Sequence, residues 1–337
     1  MRTGEGPGRV RRIAALGAAG ALVLAVAACG EPSGPEVRVT IRKGSPFREA
    51  AESLAVHGVV RSGRVFAIYA KLRGHDRTLR YGTYVLRREM TWEQTLDALR
   101  AGRGIVHSVT IVEGSTIAEI EPLLAEALEV TIDSLDIAVR DTALRHRLDV
   151  PTPSVEGYLF PDTYTFADRT SARDAVVTMV ERFEKAWKPE WDDRLLEIRL
   201  SRHDVVTLAS IVEKEVRRGE ERPVVAAVYL NRLKVGMELQ ADPTVTYALG
   251  KRPGRVMFKD LRVKSPYNTY LVRGLPPGPI GSPGAASLEA ALFPAKVNYR
   301  FFVAAPDGHH EFRRTYAEHV AAIEMVRGQA KKDSLKP

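Results

Sequence analysis

The chain has 337 residues, enough for two or three folded units with full hydrophobic cores at roughly 100 to 200 residues per domain. With 45% hydrophobic and 27% charged residues it is globular, which excludes disordered, collagen-like and polytopic membrane classes, and its single cysteine excludes a disulfide framework, a thiolate zinc cluster and a CxxC redox pair. The net charge of +8 falls to +5 (46 basic minus 41 acidic) without residues 1–28, and no Lys/Arg run with interleaved aromatics accompanies it, so a solvated basic surface or a polyanionic cell envelope is implied and nucleic acid is not.

At the N-terminus Arg9, Arg11 and Arg12 precede sixteen uncharged, mostly apolar residues from Ile13 to Ala28. By length and flank this is a secretory h-region. A spanning helix wants about 20 apolar residues, and this stretch is short and rich in Ala and Gly, so it targets the chain and anchors it poorly. It ends Val26-Ala27-Ala28-Cys29-Gly30, which resembles the lipobox of bacterial lipoproteins, with the lone Cys29 at the lipidation position. An uncleaved signal anchor with an incidental cysteine is the other reading. Both tether the chain to a membrane, through a lipid on Cys29 or through residues 1–28, and place the rest on the periplasmic or extracytoplasmic side. Residues 29–36 form a Pro/Gly/Ser-rich linker.

Folding is predicted from Val37. Val37 to Ile41 alternates as a strand, Gly44-Ser45 turns the chain with Ser45 as N-cap, and Phe47 to Val56 has helical spacing. The pattern recurs seventy residues on: Val39-Thr40-Ile41, Gly44-Ser45, Glu49 and Leu54-Ala55 match Val109-Thr110-Ile111, Gly114-Ser115, Glu119 and Leu124-Ala125, a duplicated unit. Between the copies lie a helix from Ser62 to Leu72, a strand around Tyr81 to Leu86 and a helix from Thr91 to Ala101 capped by Thr91. A small α+β module over 37–104 follows, then a larger mixed α/β domain over 105–326 and a charged, frayed tail over 327–337.

Chemistry-bearing residues begin after Ser154. Glu156, Tyr158, Phe160, Asp162 and Tyr164 crowd aromatics and carboxylates into ten residues, the mixture carbohydrate sites use for stacking on sugar C–H groups and accepting from hydroxyls. A helix opening at Asp204 centres its apolar arc near Val205, with Glu213 and Glu215 on opposite flanks and Lys214 facing away. Each glutamate is either in a boundary salt bridge or held with a raised pKa, as a general acid needs. Gln240, Asp242, Thr244 and Tyr247, then Tyr267, Asn268 and Tyr270, lie in Pro/Gly-stiffened loops that suit a long polar ligand. They are expected to line a groove around Glu213. Arg217, Arg218 and Arg222 read as a solvated charge cluster beside Glu220 and Glu221; His309, His310, Glu311 and His319 read as surface or loop-packing residues, with no metal site. No cofactor motif is present.

These residues resemble the YceG-like endolytic murein transglycosylases from about Val37 to His319. The resemblance rests on Ala209 to Glu215, Glu156 to Tyr164, Gln240 to Val245, Ser265 to Tyr270, Gly274 to Pro277, Pro283-Gly284 with Ser287-Leu288, and Pro294 to Lys296. It implies an α+β fold with a LysM-like N-terminal module, a catalytic domain that cuts peptidoglycan glycan strands internally, and Glu213 as catalytic residue. Peptidoglycan synthases are candidate partners. The family's Gly-Gly-His-Thr-Phe element stands here as Gly308-His309-His310-Glu311-Phe312, and a lipobox replaces its longer anchor. Lytic transglycosylation needs one carboxyl, because the nucleophile is the C6 hydroxyl of the muramic acid ring. Two other readings stay open: a tethered glycan-binding scaffold, and a hydrolase pairing Glu213 with Glu156 or Asp242.

Overall fold

Strand β1 (Glu36–Ile41) turns Val39 and Ile41 inward and leaves Arg38 and Thr40 outside, as its alternation requires. The structure is a computed structural model describing residues 34–250 and 256–333; the h-region and Cys29 lie outside the described residues. After β1 the chain turns through Gly44, in the left-handed region at φ +84°, into helix α1 (Phe47–Val56). Ser45 spends its N–H closing that turn on the Arg42 carbonyl, and the helix starts later, with Pro46 at the N-cap and no side-chain cap. Helix α2 (Gly63–Leu72) is capped by Ser62, strand β2 (Gly82–Arg87) pairs antiparallel with β1, and α3 (Trp92–Ala101) carries a capping box of Thr91 and Gln94. Val39, Leu54, Phe66, Tyr84 and Leu99 fill the core of this first unit.

Strand β3 (Ile105–Thr110) pairs with β2 at Tyr84 and Thr83 and then, over five residues, with β4 (Thr163–Ala167). All four strands form one antiparallel sheet in the order β1-β2-β3-β4. The boundary between the two cores falls inside β3: Ile105 belongs to the first, Val109 to the second. The duplicated sequence is a duplicated local structure, since β3 also runs through a left-handed glycine, Gly114 at φ +79°, into helix α4 (Ile117–Leu128).

The larger unit is mainly helical, with α5 (Ile132–Val139), α6 (Thr142–Arg147), α7 (Ala172–Ala186), α8 (Glu190–Ile198), α9 (Arg202–Glu215), α10 (Arg222–Lys234), α11 (Asp242–Ala248) and α12 (Ala285–Leu292). A hairpin of β5 (Phe301–Ala304) and β6 (His310–Arg313) precedes α13 (Tyr316–Asp333), which continues into the charged tail. Helix α9 is its axis: every residue from Val205 to Val212 is buried, and α10, α11 and α12 pack around it. It opens at Ser201, with Asp204 three residues on completing the capping box. The helix thus begins one turn-fraction before Asp204, which serves inside the first turn instead of as the cap. Because its middle is enclosed, its last residues, Glu213 to Glu215, emerge where loops from the rest of the chain converge. Among the described residues no helix is long and apolar enough to cross a membrane.

Candidate active site

Glu213 and Glu215 leave α9 in different directions, into different surroundings. The Glu213 side chain is 5% exposed. Its Oε1 accepts from Arg222 Nη2 at 3.1 Å and its Oε2 from the Gly284 N–H at 3.0 Å. Arg222, the first residue of α10, is 19% exposed and donates from Nε to Ser287 Oγ at 3.0 Å. Helix α12 therefore supplies two groups, its N-cap amide and Ser287, that fix the pair from the far side. The expected solvated arginine cluster is corrected at Arg222, which is drawn inward by a carboxylate nine residues earlier.

A second carboxylate stands beside this pair. Glu113, in the turn between β3 and α4, places Oε2 at 3.8 Å from the same Arg222 Nη2. It lies against Gly284, where any side chain would collide with its carboxylate. Its side chain is 51% exposed, and burial together with the charge of Glu213 raises its pKa against the pull of Arg222. The turn is held by two bonds to the opposing loop, Gly114 N–H to the Ser282 carbonyl at 2.7 Å and Ser282 N–H to the Ser115 carbonyl at 2.8 Å. Lys214 packs over this junction: a side chain at Gly281 would meet its Cε and the Gly114 carbonyl. The lysine is thus half-buried, not free in solvent.

Glu156 is buried at the N-terminus of α4. Both carboxyl oxygens accept from the Ile117 N–H, at 3.1 and 3.2 Å, and the Tyr247 hydroxyl donates to Oε2 at 3.3 Å. Burial nonetheless carries its pKa up to about 7. The Tyr247 and Tyr267 rings pack 4.9 Å apart beside it. Glu156 thereby ties the helix that follows the Glu113 turn to the aromatic loops.

Glu215 enters a third environment. Burial, then the charge of Asp242, raises its pKa to about 7. Its Oε2 and the Tyr229 hydroxyl are both buried, and the tyrosine pulls the pKa down against that burial. Asp242 is exposed and accepts from the Tyr270 hydroxyl at 2.6 Å, and exposed Gln240 sits in the left-handed region at φ +49°. The loop expected around Glu213 thus presents Asp242 to Glu215.

The remaining sequence-predicted residues turn inward. Tyr158 is fully buried against Phe183, with its hydroxyl 3.0 Å from His203 Nδ1. Tyr164 donates to the Phe160 carbonyl, Thr244 to the Ala241 carbonyl, and the Asn268 amide donates to the carbonyls of Leu261 and Val263 while its oxygen accepts from Tyr270 N–H. These groups shape the loops from within, where a groove residue would face outward.

Sequence reasoning missed Glu113 and the pairing of Arg222; the one signal for Glu113 is that it immediately precedes the turn glycine of the second copy, where the first copy has Lys43. It also missed how the β5–β6 hairpin braces the segment before Arg222. Buried His310 contacts Glu221 through its N–H at 2.9 Å and Nδ1 at 2.6 Å, and Arg218 pairs with Asp307 at 2.9 Å. His309 lies between Asp307 and Glu311, which raise its pKa. Among the described residues no group of three His, Cys, Asp or Glu is disposed to hold a metal ion.

An antiparallel sheet feeding a helical unit, with a glutamate at the end of its enclosed central helix, defines a class with known relatives. The YceG-like family profile matches residues 39–325, and the chain belongs to that family. It is 33% identical over 304 residues to a Bacillus subtilis (strain 168) protein named endolytic murein transglycosylase, covering 86% of this chain and 84% of the relative. A Streptococcus pneumoniae (serotype 2, strain D39) protein of the same name is 29% identical over 330 residues, covering 84% of this chain and 58% of the relative. The fold matches a crystal structure of a yceG-like protein from Listeria monocytogenes with a TM-score of 0.60 and 32% identity, over 86% of this chain and 100% of that one.

Proposed function

We propose that this chain is an endolytic lytic transglycosylase of peptidoglycan, with Glu213 as the carboxyl that handles the reaction's protons. The observation that carries the reading is the setting of Glu213: enclosed, at the end of α9, with both oxygens engaged by N–H donors from α10 and α12. A carboxyl so arranged is held in one position, as a group that transfers protons must be. In this chemistry the muramic acid C6 hydroxyl attacks its own anomeric carbon, the glycosidic oxygen leaves with a proton, and the product ends in 1,6-anhydro-N-acetylmuramic acid. No second sugar or activated water is required. In its simplest form one carboxyl serves both proton transfers.

The first unit, in which two helices connect the antiparallel strands β1 and β2, supports a LysM-like glycan-holding role. A lipid on Cys29, or an uncleaved h-region, would hold the enzyme against the membrane where nascent strands and their synthases lie. The test is mass spectrometry of purified glycan strands after digestion. Anhydro ends are expected from the wild type and none from Glu213→Gln; reducing ends would mean hydrolysis, and intact strands a scaffold.

A further inference from the structure

The two copies of the strand–turn–helix unit differ at the residue before the turn glycine, Lys43 in one and Glu113 in the other. Only the second copy faces Glu213 through its turn: a side chain at Gly114 would touch Glu213 Cγ at 3.7 Å, whereas one at Gly44 would meet nothing within 4 Å. Glu113 and Glu213 both lie within 4.0 Å of Arg222 Nη2, at 3.8 and 3.1 Å. Their oxygens are therefore no more than about 7 Å apart, a separation over which paired glycosidase carboxyls divide acid and base work.

The two surroundings differ in the way such a division needs. Glu213 is enclosed and accepts from two N–H donors. Glu113 is half-open to solvent at the rim, lies farther from Arg222, and is pushed by burial and by its neighbour's charge toward the protonated form. Gly284 keeps the space beside it clear while its amide engages Glu213.

We propose that Glu113 protonates the departing glycosidic oxygen, leaving Glu213 to take the C6 hydroxyl proton. This inference rests on the transglycosylase reading above. The Glu113 proton passes to the glycosidic oxygen as the bond from that oxygen to the muramic acid C1 breaks, its electron pair going to the oxygen. The C6 oxygen bonds to C1, and its proton goes to Glu213. That proton then returns through solvent to Glu113, so nothing is consumed beyond the glycan.

The test compares wild type, Glu113→Gln and Glu213→Gln on polymeric glycan strands and on a muramoyl glycoside whose leaving group is p-nitrophenolate, which departs without a proton. Loss of a general acid costs about 10² to 10⁴-fold. Glu113→Gln is expected to lose that much on strands yet stay within about tenfold of wild type on the aryl glycoside, which also shows that the variant is folded. Glu213→Gln is expected to fail on both. Equal losses by Glu113→Gln on the two substrates, or retention of more than a tenth of the rate on strands, would overturn the assignment. Anhydro ends from the wild type check the underlying reading separately: reducing ends would remove transglycosylation while the leaving-group comparison still judged Glu113.

Discussion

Helix α9 carries two glutamates two residues apart, and replacing each by glutamine should have opposite consequences. Glu215 is buried, and that burial holds its pKa near 7 against an ordinary value of 4.5. Below pH 4.5 it is protonated in both folded and unfolded chains, and its titration does not affect stability. As the pH rises from 4.5 to 7 the unfolded chain releases the proton and the folded chain does not, so stability falls through that window and stays lowered above it. At about 1.4 kcal/mol per pKa unit the loss is on the order of 3 kcal/mol. Glu215→Gln preserves the shape and removes the titration. It should melt at the temperature of the wild type at pH 4 and several degrees above it at pH 8, with glycan cleavage retained. Thermal unfolding across pH 4 to 8, reported as the difference between variant and wild type, isolates Glu215 from Glu156, which titrates in the same range. A difference that does not change with pH, or a variant less stable than wild type at pH 8, would refute the reasoning.

Glu213→Gln should leave the melting temperature close to that of the wild type and reduce strand cleavage by about 10² to 10⁴-fold, measured as anhydro ends formed per unit time. Gly284→Ala keeps the amide that engages Glu213 but occupies the space of the Glu113 carboxylate; because Glu113 is half-exposed and free to swing outward, we expect little change in melting temperature and at least a tenfold loss of cleavage. Asn268→Ala removes three hydrogen bonds inside the loop, so urea unfolding should show a loss of about 2 to 3 kcal/mol, the signature of a residue that holds the loop's shape.

Much of this protein is dictated locally. The period of α9 places Glu213 and Glu215 on separate flanks of a buried helix, and the structure sends them to Arg222 and Asp242 accordingly. The duplicated strand–turn–helix is visible in sequence because its turns need a left-handed glycine at the same place, Gly44 and Gly114. Capping is local too, yet its register slips by a few residues when two polar candidates compete, as Ser201 and Asp204 do at α9.

What the sequence alone determines is which residues are capable of chemistry; which of them remain free to perform it is decided by tertiary structure. Tyr158, Tyr164, Thr244 and Asn268 have the right types for a sugar groove, but packing buries them and their polar atoms go to nearby protein groups. Arg222 looks solvated beside Glu220 and Glu221 because charge neighbours along the chain say nothing about which carboxylate shares its buried face. Glu113 lies a hundred positions before Glu213 and meets it only because β3 delivers its turn to the end of α9 and Gly284 leaves room for it there. Proximity of that kind is a property of the packed sheet and helices, since no local propensity brings two like-charged carboxylates to one guanidinium.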